Sequence, residues 1–143
     1  MTSTSVLSRA ASRHTHLDLT RHPGSCRAAR HWASTAMAEW AYPTTAEGAD
    51  DVLLVVSELV ANSLQHATGP IRAHLARRTD GTLLVSVLDG GPAPGRRAAH
   101  PAGEADEHGR GLGIVAFLST RHGRASATTR PYRTRSWATL TPR

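Results

Sequence analysis

No lysine occurs in this chain of 143 residues; all 17 basic positions are arginine. A Walker-type phosphate loop and a eukaryotic-type kinase each require a lysine beside the phosphates, and Schiff-base enzymes require one as nucleophile, so these mechanisms are excluded. The single cysteine, Cys26, permits neither an intramolecular disulfide nor a cysteine-based metal knuckle, which makes the cytoplasm the default compartment. Aromatic residues are only 4% of the chain, so Leu, Val and Ala must fill the core and few rings are available to stack bases. No apolar run approaches the roughly 20 residues of a membrane span, and the longest candidate is interrupted by Glu58 and Asn62. Residues 1–13 have no apolar stretch resembling a secretory signal and are expected to be a disordered lead-in. The nine histidines form no His-x-x-x-His or His-Glu-x-x-His pattern, which argues against a metal enzyme.

The net charge of +6 raises nucleic acid as a partner. The arginines, however, are scattered, and their nearest approach to a cluster is Arg121, Arg124, Arg130, Arg133 and Arg135. A solvated basic surface, or attraction for an acidic protein, fits that distribution better than nucleic-acid reading.

The length suits one domain, expected over residues 14–143. His14 to Thr20 alternates weakly and predicts an edge strand. Ala28, Ala29, Trp32, Ala36, Met37 and Trp40 recur at helical spacing and predict a helix over about residues 25–40. A second helix is expected from about Ala49 to Ala67, stopped by Gly69-Pro70. Two strands, Ile71 to Arg77 and Thr82 to Leu88, flank an Asp80-Gly81 turn, and the second is apolar enough to be central. From Gly90 to His108 the chain has no periodicity, as in a lid over a site. A third helix is expected from Gly109 or Arg110 to about Thr120, ended by Gly123, then strands over about 124–129 and 135–141. The pattern is that of an α+β unit with helices layered on a mainly antiparallel sheet.

Three motifs carry the chemistry. Glu58, Asn62 and His66 stand at i, i+4 and i+8, in file along a helix that is otherwise largely apolar. They are either the solvated face of that helix or polar groups placed in a site. Asp89-Gly90-Gly91 leaves the central strand, so a carboxylate can accept a hydrogen bond where glycine lets a flat ligand approach; an ordinary turn is the alternative. Gly109-Arg110-Gly111-Leu112-Gly113 opens a helix, where exposed N–H groups at the positive end of the dipole can cradle phosphate; a hinge is the alternative.

In order and spacing these pieces resemble the GHKL ATP-binding fold of gyrase, histidine kinases and MutL, from about Leu17 to Leu140. That fold binds ATP without a Walker lysine. The resemblance implies a two-layer α/β sandwich, with helices on one face of a mixed, mostly antiparallel sheet. At 143 residues the chain is expected to carry neither the phospho-acceptor helix pair of histidine kinases nor the transducer domain of gyrase and MutL. It looks like the stand-alone anti-sigma-factor serine kinases; Val56-Ser57-Glu58-Leu59-Val60-Ala61-Asn62 and the terminal Ser136-Trp137-Ala138-Thr139-Leu140 strand fit that group. By resemblance, Asn62 is the Mg²⁺ ligand, Glu58 the general base, Asp89 the adenine-recognising carboxylate and Gly91 the space for the ring. Gly109, Gly111 and Gly113, with Arg110 and Leu112, match the phosphate loop, and His66 takes a structural or lid-contacting role. The implied activity is serine phosphorylation of an antagonist protein with Mg·ATP, the kinase also holding a sigma factor and possible as a homodimer. A regulator-binding module of the same fold without catalysis is the alternative. Two positions depart from the family pattern: Ala93 replaces the last glycine of the first glycine box, and His122 stands where Trp is common.

Overall fold

The computed structural model describes residues 13–92 and 107–143. In chain order they form β1 (Arg13–Leu19), α1 (Ser25–Glu39), α2 (Ala46–His66), β2 (Ile71–Arg77), β3 (Leu83–Asp89), α3 (Glu107–Leu118), β4 (Arg121–Ser126) and β5 (Thr134–Leu140). The strands make one five-stranded sheet in the order β1-β2-β3-β5-β4. All four ladders are antiparallel. β1 is an edge and β3 the centre, as the apolarity of the two segments predicts. The long loop expected before α3 falls largely on residues 93–106, outside the described residues; of the lead-in expected over residues 1–13, residues 1–12 also lie outside them and Arg13 begins β1.

Strand alternation decides what the sheet presents to the helices. On β3, Leu83, Val85 and Val87 are fully buried, and their partners on β5 are Leu140, Ala138 and Ser136. β2 contributes Ile71, Ala73 and Leu75 to the same layer. α2 lays Val52, Val55, Val56, Leu59 and Val60 over this surface, an i, i+3, i+4, i+7, i+8 stripe. α1 adds Ala29, Ala33, Ala36 and Met37, and α3 adds Val115. Thr45 starts α2 by accepting the Gly48 N–H on its hydroxyl at 3.1 Å, and Glu47 in the first turn suits the positive end of the dipole.

The end of α1 carries a small penalty. The Tyr42 N–H donates to the Met37 carbonyl at 3.0 Å and the Ala41 N–H to Ala38 at 3.1 Å, the paired bonds of a Schellman ending. That ending needs a left-handed residue, and Ala41 supplies it at φ 48°. Ala41→Gly is therefore expected to stabilise the fold by about 1 kcal/mol, read as a higher midpoint in urea.

β4 begins at Arg121, three residues earlier than its sequence predicts, and Gly123 lies within the strand instead of ending a helical unit. A side chain at Gly123 would meet the Trp137 ring at 3.0 Å, so the glycine gives that indole room to lie against the strand. The arginine cluster is divided: Arg121 and Arg124 are on β4, Arg130 and Arg133 in the following loop, and Arg135 on β5.

Candidate functional site

The site begins where two core patterns turn polar. On β3 the buried row Leu83, Val85, Val87 continues to Asp89, so alternation sends the carboxylate beneath the helices, 1% exposed. On α2 the apolar stripe continues one turn beyond Leu59 and Val60 to Ser63, which is fully buried. The two polar ends meet: Ser63 Oγ donates to Asp89 Oδ2 at 2.6 Å. The Gly91 N–H donates to Asp89 Oδ1 at 2.9 Å. Both donors are neutral. They fix the plane of a carboxylate whose remaining lone pairs favour a further donor, because an under-satisfied buried charge is costly.

A staple of backbone bonds holds this turn. The Thr68 N–H donates to the Gly91 carbonyl at 2.9 Å and the Gly90 N–H to the Thr68 carbonyl at 2.7 Å. Ala67 and Pro92 form an isolated antiparallel bridge beside them. Gly91 adopts φ +86°, a region that favours glycine. Gly90 has a different reason to be glycine: a Cβ there would stand 2.4 Å from the Thr68 carbonyl oxygen.

Asn62 neighbours Ser63 on α2 and is 6% exposed. Its Oδ1 accepts no hydrogen bond among the described residues. An orphaned buried acceptor is rare in folded proteins and calls for an explanation. Glu58 lies one turn earlier and is half-buried on the flank towards α1. There Arg30 donates to Ser57 Oγ at 2.8 Å. Burial pushes the nearby Cys26 thiol above its ordinary range, Arg30 opposing the shift and Glu58 adding to it, so Cys26 is a poor nucleophile. The helix therefore does not turn its Glu58–Asn62 file uniformly to water: Asn62 is buried and Glu58 partly so.

β5 supplies a polar strip on the helix side. Thr134 pairs with Asp89 and Ser136 with Val87. Ser136 is 2% exposed, and its Oγ has no partner among the described residues. The glycine-rich segment belongs to α3, which starts at Glu107, so Gly109 falls in the first turn and Gly113 in the second. First-turn N–H groups have no partner within the helix. The side chains at positions 109–111, Arg110 among them, lie outside the described residues. Leu112 is half-buried, and a Cβ at the exposed Gly113 would meet nothing within 4 Å.

Asp89, Gly91 and Asn62 are thus all close to Ser63, through the hydrogen bonds to Asp89 and through the adjacent position in α2. Ser63, Gly90 and Ser136 belong to the same surroundings although no motif marks them. Ser63 could have been found as the polar residue that continues the i, i+3, i+4 stripe of Val52, Val55, Val56, Leu59 and Val60.

Comparison with known proteins agrees with the fold. A model of the histidine kinase-like ATPase domain matches residues 19–137, and the chain belongs to that family. Among solved structures, the RsbU and RsbW domains of Rv1364c from Mycobacterium tuberculosis superpose with a TM-score of 0.67 at 18% identity, over 91% of this chain and 32% of that one. The chain thus spans about a third of that structure's length, and the likeness shows a shared fold. No curated protein matches the sequence.

Proposed function

We propose that this chain is an ATP-binding regulatory protein of the anti-sigma-factor kinase type, which transfers the γ-phosphoryl group of Mg·ATP to a serine of an antagonist protein. The observation that supports it most is the Asp89 carboxylate, buried and held by two neutral donors, with lone pairs left for the exocyclic amine of adenine. Asn62 Oδ1 suits Mg²⁺, a hard cation that takes oxygen ligands and is often held by few protein groups together with substrate phosphates. When bound, Mg²⁺ would neutralise charge on the phosphates. Gly109 and Arg110 in the first turn of α3, backed by Gly111, Leu112 and Gly113 in the second, form the proposed phosphate-binding segment.

Glu58 is the proposed general base. It accepts the proton of the attacking serine hydroxyl while oxygen bonds to the γ-phosphorus and ADP leaves with the former bridging oxygen. Its partial burial and its position one helical turn before Asn62 support this reading. The partners on this reading are an antagonist protein and the sigma factor that it frees.

Transfer from [γ-³²P]ATP to candidate sigma-factor antagonists of the same genome tests the reading. Glu58→Gln is expected to keep Mg·ATP affinity within about threefold and to lower transfer by roughly 100-fold or more. Mg·ATP binding by the wild type without transfer to any candidate would favour the non-catalytic regulator-binding module.

A further inference from the structure

Arg21, in the link between β1 and α1, reaches across the fold to the far end of α2. Its Nε donates to the Gly69 carbonyl at 3.0 Å. Its Nη1 donates to the Ser63 and Leu64 carbonyls, each at 3.2 Å. One guanidinium therefore joins the last turn of α2 to the segment that follows it. A cation there also suits the negative end of the helix dipole.

Both joined segments lead to Asp89. Ser63, whose carbonyl Arg21 holds, gives its hydroxyl to Asp89 Oδ2. Gly69, whose carbonyl it also holds, follows Thr68, which is bonded through its backbone to Gly90 and Gly91. Gly91 in turn donates to Asp89 Oδ1. Arg21 thus lies behind both donors that set the carboxylate plane, without touching the carboxylate itself.

We infer that Arg21 is a positioning residue for base recognition: it fastens the Ser63 and Thr68–Gly69 arms so that Asp89 presents one fixed acceptor geometry to adenine. The inference rests on the ATP-binding reading above. A planar fork suits this task, because its donors lie in fixed directions and engage carbonyls of two segments together, whereas a lysine ammonium is a single point. Loosening either arm lets the carboxylate rotate, and small misplacements of a positioned group are costly in recognition.

Arg21→Ala and Arg21→Lys in the full chain test this by titration with Mg·ATP, Mg·GTP and inorganic tripolyphosphate, folding being checked by circular dichroism. The alanine variant is expected to bind Mg·ATP about tenfold more weakly, with a smaller preference for ATP over GTP and unchanged tripolyphosphate affinity. Lysine should restore part of the loss. Equal weakening towards all three ligands, or an unchanged ATP-to-GTP ratio in the folded variants, would overturn the inference. Hydrogen exchange at the Gly90 and Gly91 amides, measured without nucleotide, is expected to quicken in both variants; wild-type exchange there would overturn the link even if no nucleotide bound. If the wild type itself binds no nucleotide, the ATP reading fails, and the exchange data still decide whether Arg21 fastens the turn. Should Arg21→Ala not fold, Arg21→Lys carries both measurements.

Discussion

Asp89→Asn is expected to weaken Mg·ATP binding by roughly 10- to 100-fold while the chain stays folded, since a hydrogen bond to a charged group contributes about 1.5–3 kcal/mol. An asparagine oxygen can still accept from the Gly91 N–H, and Ser63 Oγ can reverse its role and accept from the amide. Local packing therefore survives, and what is lost is the charge that, on the proposed reading, draws the adenine amine. Asp89→Ala goes further. It leaves a buried hydroxyl and a buried N–H without their acceptor, at about 1–3 kcal/mol each, so it should lose binding and also shift the urea midpoint markedly. A comparison of the two variants separates recognition from stability: equal midpoints for Asn and Ala would mean that the Ser63 and Gly91 bonds contribute nothing to the fold.

Gly90→Ala is the second large effect. The added methyl would stand 2.4 Å from the Thr68 carbonyl oxygen and 2.9 Å from its carbon, both backbone atoms that cannot swing aside as a side chain could. Either the Thr68–Gly90 bond breaks or the whole turn moves, and Asp89 moves with it. The expected cost is about 2–3 kcal/mol, with nucleotide binding reduced beyond detection in a simple titration. Gly113→Ala is a control for stability alone: a Cβ there meets nothing within 4 Å, and the position is helical, so the urea midpoint should be unchanged or slightly raised. Normal binding and an unshifted urea midpoint in Gly90→Ala would show that the staple between residues 67–69 and 90–92 does not organise the site.

The parts of the fold that were legible in the sequence are those written as periodic patterns. The α2 stripe, the apolar β3 and the Asp80-Gly81 turn each repeat or punctuate locally, and each element lies within a few residues of its expected place. β4 was less legible. Arg121, His122 and Gly123 have no strand character of their own; the ladder with β5 makes them a strand, opposite Thr139, Ala138 and Trp137. Tertiary pairing overrides propensity at such an edge.

The candidate site divides along the same line. Glu58, Asn62 and Asp89 interrupt apolar patterns, so each attracts attention in the text of the sequence. Ser63 does the same more quietly, as a small polar residue at the end of a valine-rich stripe. Arg21 was illegible: it acts on carbonyls 42 to 48 positions away, through contacts that no local spacing encodes. Gly90 was partly so, because two adjacent glycines look alike in sequence. In the fold one is required by its backbone angle and the other by a carbonyl pressed against its Cα.

The most direct test of the account is calorimetric titration of ATP, with and without Mg²⁺, into the wild type and into Asn62→Ala. Saturable, Mg²⁺-dependent binding is expected of the wild type, and in the folded variant a loss of about tenfold or more together with loss of the Mg²⁺ dependence. A folded wild type that takes up no ATP, or an Asn62→Ala variant that binds it with the same Mg²⁺ dependence, would contradict it.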